Sequence, residues 1–152
     1  MGLEIKTILL AMTPINELRG TIPIALGIWN LGILKTFFFS VLGNMIPVFF
    51  LLWFWPHLAD FFMRKSKMIK SLLDWVFKRT YKRFYEKYSL YGNLALIILV
   101  AIPFPFTGAW TGTIASFLFK IPYYKSLGLI FLGVLIAGLI VTLGTLGFIS
   151  LI

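Results

Sequence analysis

Between Ser126 and Ile152 this chain carries no charged residue, and between Leu31 and Trp55 it carries one, Lys35. An α-helix rises ~1.5 Å per residue, so each stretch can cross the ~30 Å hydrocarbon core of a bilayer. This limits the fold severely, because backbone N–H and C=O groups in lipid must be satisfied within their own segment, as helices do. Composition agrees: of 152 residues 60% are hydrophobic and 12% charged, against ~25% charged in an ordinary soluble domain. The expected fold class is all-α integral membrane, a single domain over residues 1–152. Met1 to Lys6 includes Glu4 and Lys6, and no small-residue cleavage site follows Leu10, so no separate signal peptide is expected. With no cysteine and a single histidine, His57, the sequence offers no disulfide, thiol nucleophile or metal cluster. No cofactor is expected.

Two further apolar stretches are interrupted. The first breaks at Thr13-Pro14-Ile15-Asn16-Glu17-Leu18-Arg19-Gly20-Thr21-Ile22-Pro23, the second at Ile102-Pro103-Phe104-Pro105-Phe106-Thr107-Gly108-Ala109-Trp110. The flanking arms, Leu3–Thr13 with Thr21–Asn30 and Gly92–Ile102 with Ala109–Phe119, each reach ~15 Å as helix, half the core. They fit a re-entrant hairpin with its tip near the midplane; one kinked spanning helix is the other reading. Each break is followed by a basic–hydroxyl pair and then a glycine, Lys35-Thr36 with Gly43 and Lys125-Ser126 with Gly133, at an offset of ninety. The expected layout is a hairpin (3–30), a transmembrane helix (31–57), a basic amphipathic helix (60–88), a second hairpin (92–119) and a second transmembrane helix (123–152). Its halves would insert in opposite orientations, as in inverted-repeat transporters. In the last segment Gly133 with Ala137 and Gly138 with Thr142 place small residues four apart, a surface for close helix approach. The partner is either Leu31–Trp55 or a second copy of the chain, giving a homodimer.

Nine of the fourteen basic residues lie between Arg64 and Lys87, against Asp74 and Glu86. Membrane segments flank this cluster, so it reads as a cytoplasmic segment facing anionic lipid rather than nucleic acid. Ile69, Leu72, Leu73, Val76 and Phe77 recur at helical spacing, which makes an interfacial amphipathic helix. Both termini then lie on the outer side.

The candidate site residues come from the breaks. Ionisable groups at membrane depth cost at least ~2.5 kcal/mol near a helix centre and mark a site by default. Burial would favour a neutral Glu17 and Arg19 a charged one, so Glu17 is a candidate proton carrier. Arg19 can grip a phosphate or carboxylate in bidentate fashion. Alternatively the two form a structural ion pair that locks the tip. Around Pro103, Pro105, Thr107, Gly108, Trp110 and Thr111 the unwound backbone and two hydroxyls offer polar contacts, and Asn16 adds another at the first tip. Asn44, three residues before Pro47, either bonds a hairpin tip or satisfies backbone freed by the proline. The sequence has no phosphate-cradling or nucleophile-elbow motif, so catalysis is not expected.

The motifs Pro14-x-x-Glu17-x-Arg19-Gly20-x-Ile22-Pro23, Gly43-Asn44-x-x-Pro47 and Pro103-x-Pro105-x-Thr107-Gly108-Ala109-Trp110-Thr111-Gly112 resemble the small multidrug export family of bacterial and archaeal membrane proteins. More distantly the chain looks like the DedA (SNARE-associated, VTT) superfamily, whose members carry two opposed hairpins and some of which are implicated in lipid movement. It departs from those proteins in lacking an arginine between Phe104 and Gly112. The resemblance implies a prokaryotic plasma-membrane transporter, proton-coupled through Glu17. Its substrate would be a small amphipathic molecule, either drug-like or a lipid such as a polyprenyl phosphate. The alternative is a non-transporting membrane organiser in which Glu17 and Arg19 are structural.

Overall fold

The computed structural model describes residues 2–104 and 107–151. All regular structure among them is helical, in seven helices: α1 (Leu3–Ala11), α2 (Glu17–Gly27), α3 (Ile33–Lys65), α4 (Lys67–Tyr91), α5 (Leu94–Ala101), α6 (Ala109–Leu118) and α7 (Tyr123–Leu151). Two of them, α3 and α7, are long and apolar enough to cross a bilayer. The short helices are ~12–17 Å long, about half the hydrocarbon core.

Several boundaries differ from those expected. Helix α2 resumes at Glu17, not Thr21, so Glu17 and Arg19 lie in its first turn instead of an unwound tip. Pro14 blocks helix before it, whereas Pro23 is accommodated inside α2. The expected spanning segment 31–57 continues as helix to Lys65 through Pro47 and Pro56. The basic helix therefore begins at Lys67, after one extended residue, Ser66 (φ −147°, ψ 129°).

Each first arm lies along the long helix that follows it. Lys35 meets Glu4 at 3.4 Å, and about two α3 turns later a Cβ on Gly43 would run into the Ile8 carbonyl and Ala11. In the second half a Cβ on Gly133 would come within 2.6 Å of Val100 Cβ and 3.0 Å of the Ile97 carbonyl. Each second arm packs on the other long helix: α2 runs against α7, and α6 against α3, where Trp55 Nε1–H donates to Thr113 Oγ1 at 3.0 Å. The turn before each long helix also recurs ninety positions on. Asn30 (φ 50°) and Lys120 (φ 53°) are both left-handed. Leu31 N–H donates to the Ala25 carbonyl and Ile121 N–H to that of Ser116, both at 2.9 Å. Thr36 Oγ1 donates to the Leu31 carbonyl and Ser126 Oγ to that of Ile121, both at 3.2 Å.

Two small residues of α7 are filled from within the chain, while Gly128, Gly144 and Gly147 face open space: Gly133 receives α5, and Gly138 the ring of Phe37 on α3, 2.8 Å from an added Cβ. Helix α4 is also more embedded than an interfacial helix. Thr80 and Phe84 are buried, and Phe84 and Tyr88 pack on Phe119, each with ring centroids 4.8 Å apart. Leu73, Val76 and Phe77 pack against the cluster around Trp55, Ala59 and Ile114. Periodicity identifies an apolar face correctly; here protein covers part of it in place of lipid.

Candidate functional site

Glu17 and Arg19 point across the molecule into the second broken segment. Glu17 is 4% exposed and sits in the left-handed region, φ 44°, a conformation that costs a non-glycine residue roughly 1–3 kcal/mol. That backbone turns its carboxylate onto the start of α6, where the Trp110 N–H donates to Oε1 at 3.4 Å and the Ala109 N–H also points. A helix N-terminus carries about half a positive charge and four unpaired N–H groups, so an anion is stable there.

Arg19 does the converse at the end of α5. Its guanidinium donates to the carbonyls of Ile102 (3.0 Å), Val100 (3.4 Å) and Phe104, and to Thr107 Oγ1 (3.2 Å). Thr107 Oγ1 in turn donates to Phe104 O (2.7 Å) or Ile102 O (2.9 Å). A cation thus covers the orphaned carbonyls of one half-helix, and an anion the orphaned N–H groups of the next. Lys35 and Glu4 form a salt bridge; Glu17 and Arg19 do not form one with each other. The second break carries no charge of its own because the first supplies both.

Gly108 makes the approach of Glu17 possible. Its φ of 131° is open to glycine, and a Cβ there would overlap the Glu17 carboxylate. Gly108→Ala is therefore expected to lower stability by about 1–3 kcal/mol or more, read as a fall in Tm in detergent. Gly128→Ala is the control: nothing lies within 4 Å of its added Cβ, and a helical Gly→Ala change gains up to about 1 kcal/mol. If the two variants melt alike, Gly108 does not seat the carboxylate.

The tips border a cavity of about 590 Å³, walled by Pro14, Ile15, Glu17 and Arg19 on one side and Pro103, Phe104, Thr107, Trp110 and Thr111 on the other. That volume is typical of a small-molecule site. Of the sequence-derived candidates, Glu17, Arg19, Pro103, Thr107, Trp110 and Thr111 line it; Pro105 lies outside the described residues. Gly108 lies behind Glu17, and Asn16 turns its side chain toward Gly20. Asn44 is buried in α3 away from the cavity wall, its Oδ1 without a partner. Trp110 Nε1 is likewise buried without an acceptor.

The profile of the family described as "Putative small multi-drug export protein" matches residues 17–140. The chain belongs to that family. Family membership together with two apolar helices of spanning length marks a membrane protein, and the small multi-drug export description is consistent with a membrane transporter. No curated protein and no solved structure gives a significant match.

A third wall of the cavity in this member of the family comes from α4: Trp75, Val76, Arg79, Thr80 and Arg83. Sequence reading assigned that helix to lipid and missed the wall. The signal was present as spacing: residues 75, 76, 79, 80 and 83 form one helical stripe on which two arginines interrupt apolar residues.

Proposed function

We propose that this chain is a small proton-coupled transporter that moves an amphipathic substrate, drug-like or lipid, through the cavity between its two tips. The observation that carries the proposal is that both broken segments border one cavity with a buried carboxylate, Glu17, as its acidic group. The chain is read as two inverted repeats, each a re-entrant hairpin and one spanning helix. The ninety-residue recurrences at Asn30/Lys120, Thr36/Ser126 and Gly43/Gly133 support this, and a distant kinship with the DedA superfamily belongs to the same reading. Ionised Glu17 accepts from the α6 N-terminus; protonated Glu17 releases that helix end, so the tips can change their relation with each proton. The basic outer face within Arg64–Lys87 lies on anionic lipid at the cytoplasmic side of a prokaryotic plasma membrane, and a second copy forms a homodimer. No catalytic chemistry is proposed.

One observation favours a second reading. The guanidinium donors of Arg19 rest on α5 carbonyls and Thr107, as they would in a membrane organiser whose charges only pin the fold. Access separates the two. The chain lacks cysteine, so Ile15→Cys and Thr107→Cys can be probed singly in oriented vesicles with an impermeant thiol reagent, with Ser66→Cys marking the α4 face. A transporter should label at each tip from both faces, in proportions that shift between acid and alkaline medium. It should also move an amphipathic dye into proteoliposomes. Labelling from the Ser66 face alone at every pH, with no dye uptake, leaves the organiser.

A further inference from the structure

A second cavity, of about 440 Å³, lies between α3, α6 and the turn into α7, and it shares no lining residue with the one between the tips. Leu52, Pro56, Phe117, Leu118 and Ile121 make its wall apolar. Its hydroxyls are already engaged with the fold. Thr113 Oγ1 donates to the Trp110 carbonyl at 2.7 Å, Ser116 Oγ to that of Gly112 at 2.9 Å, and the Tyr123 hydroxyl to that of Phe49 at 3.2 Å. What remains is Lys120, an exposed residue whose ammonium has no hydrogen bond or ion pair among the described residues. No acidic side chain among them lines this groove.

Conformation does not account for a lysine there. Lys120 sits at φ 53°, where the first half of the chain has Asn30 at φ 50°. Asparagine enters the left-handed region readily, and lysine has no such advantage. The height is that of a membrane interface. Trp53 and Tyr124, next in the chain to Leu52 and Tyr123 of the groove, are 53% and 85% exposed, as are the rings of the aromatic belts that flank a hydrocarbon core. At that height a lysine ammonium meets lipid phosphates while the apolar wall beside it meets acyl chains.

We infer that this groove holds one anionic phospholipid, its phosphate on Lys120 and an acyl chain along Leu52, Pro56, Phe117 and Leu118. The single unpaired lysine sets the selectivity. A phosphoglycerol head brings a net negative charge, whereas a phosphocholine head brings its own cation to the same phosphate. The site is separate from the basic face of α4, since no residue of that helix lines it, and it does not depend on transport through the cavity between the tips.

Lipid retained by the full chain in neutral detergent, counted by native mass spectrometry, tests this with dioleoylphosphatidylglycerol, dioleoylphosphatidylcholine and inorganic phosphate as probes. The first lipid bound should be phosphatidylglycerol, held about fivefold more tightly than phosphatidylcholine, the factor expected from one lysine beside an anionic lipid. Inorganic phosphate should not displace it. Lys120→Asn suits the left-handed turn and removes the charge, so it should bring the two lipids to equal retention without loss of fold. Lys70→Gln, which takes one charge from the exposed face of α4, should leave the preference in place. Pro56→Phe restores a helix N–H and puts a ring into the groove, so it should lower retention of both lipids. Equal retention by the unaltered chain, a preference that survives Lys120→Asn or disappears in Lys70→Gln, unchanged retention in Pro56→Phe, or displacement by inorganic phosphate would each overturn the inference. Flux plays no part in the readout, so a failure of the transporter reading leaves this result standing.

Discussion

Glu17→Gln is expected to abolish the pH dependence of substrate flux while leaving the fold intact. The amide has the shape of the carboxylate, and its oxygen can still accept from the Trp110 and Ala109 N–H groups. What it loses is the charge facing the α6 N-terminus, worth roughly 0.3–2 kcal/mol in such a position, and the capacity to take up a proton. A small fall in Tm with flux that no longer responds to pH is the result for a coupling carboxylate. Glu17→Ala goes further, emptying a buried site and orphaning both donors. The proposal fails if Glu17→Gln lowers Tm yet transports with wild-type pH dependence, because the carboxylate is then only a cap.

Arg19→Ala is expected to be the more damaging change to stability. It strips donors from the carbonyls of Val100, Ile102 and Phe104 and from Thr107 in one step. Each hydrogen bond to a charged group contributes roughly 1.5–3 kcal/mol where water does not replace it. Part of the site is solvent-accessible, so the net loss should be about 3 kcal/mol, or a drop in Tm of roughly 10 °C. Arg19→Lys should recover only part of this, since an ammonium is a point donor and cannot span three carbonyls. An Arg19→Ala chain that melts like wild type would show that α5 ends there without help from the first segment.

The elements were legible where local chemistry decides them. Pro14, Pro103 and Gly108 located both interruptions, whereas Gly20 and Pro23 fell inside α2, and the charge-poor runs located α3 and α7. Boundaries at Glu17 and Lys65 were not legible, because a left-handed residue restarts α2 and neighbouring helices tolerate two prolines in α3. The partners of Glu17 and Arg19 were out of reach for a different reason. Proximity in sequence pointed to a pair two residues apart; the two charges do attract each other, but their hydrogen-bond partners are helix ends more than eighty residues away. The basic helix shows the same limit: spacing finds a face but not what covers it. For Arg79 and Arg83 the interrupted stripe was visible, but only the docking of α4 over the tips gives it meaning.

The crossed packing of the second arms has a consequence for how the protein is made. Helix α2 rests on α7, which is made about a hundred residues later, and its two charged side chains await helix ends that appear more than eighty residues after them. During synthesis the N-terminal half therefore has an apolar arm without its neighbour and two ionised groups without their caps. It cannot complete its own structure before the C-terminal half arrives. The two halves mature together once α7 has been made, and a chain that stops before α5 leaves Glu17 and Arg19 in the state that lipid tolerates least.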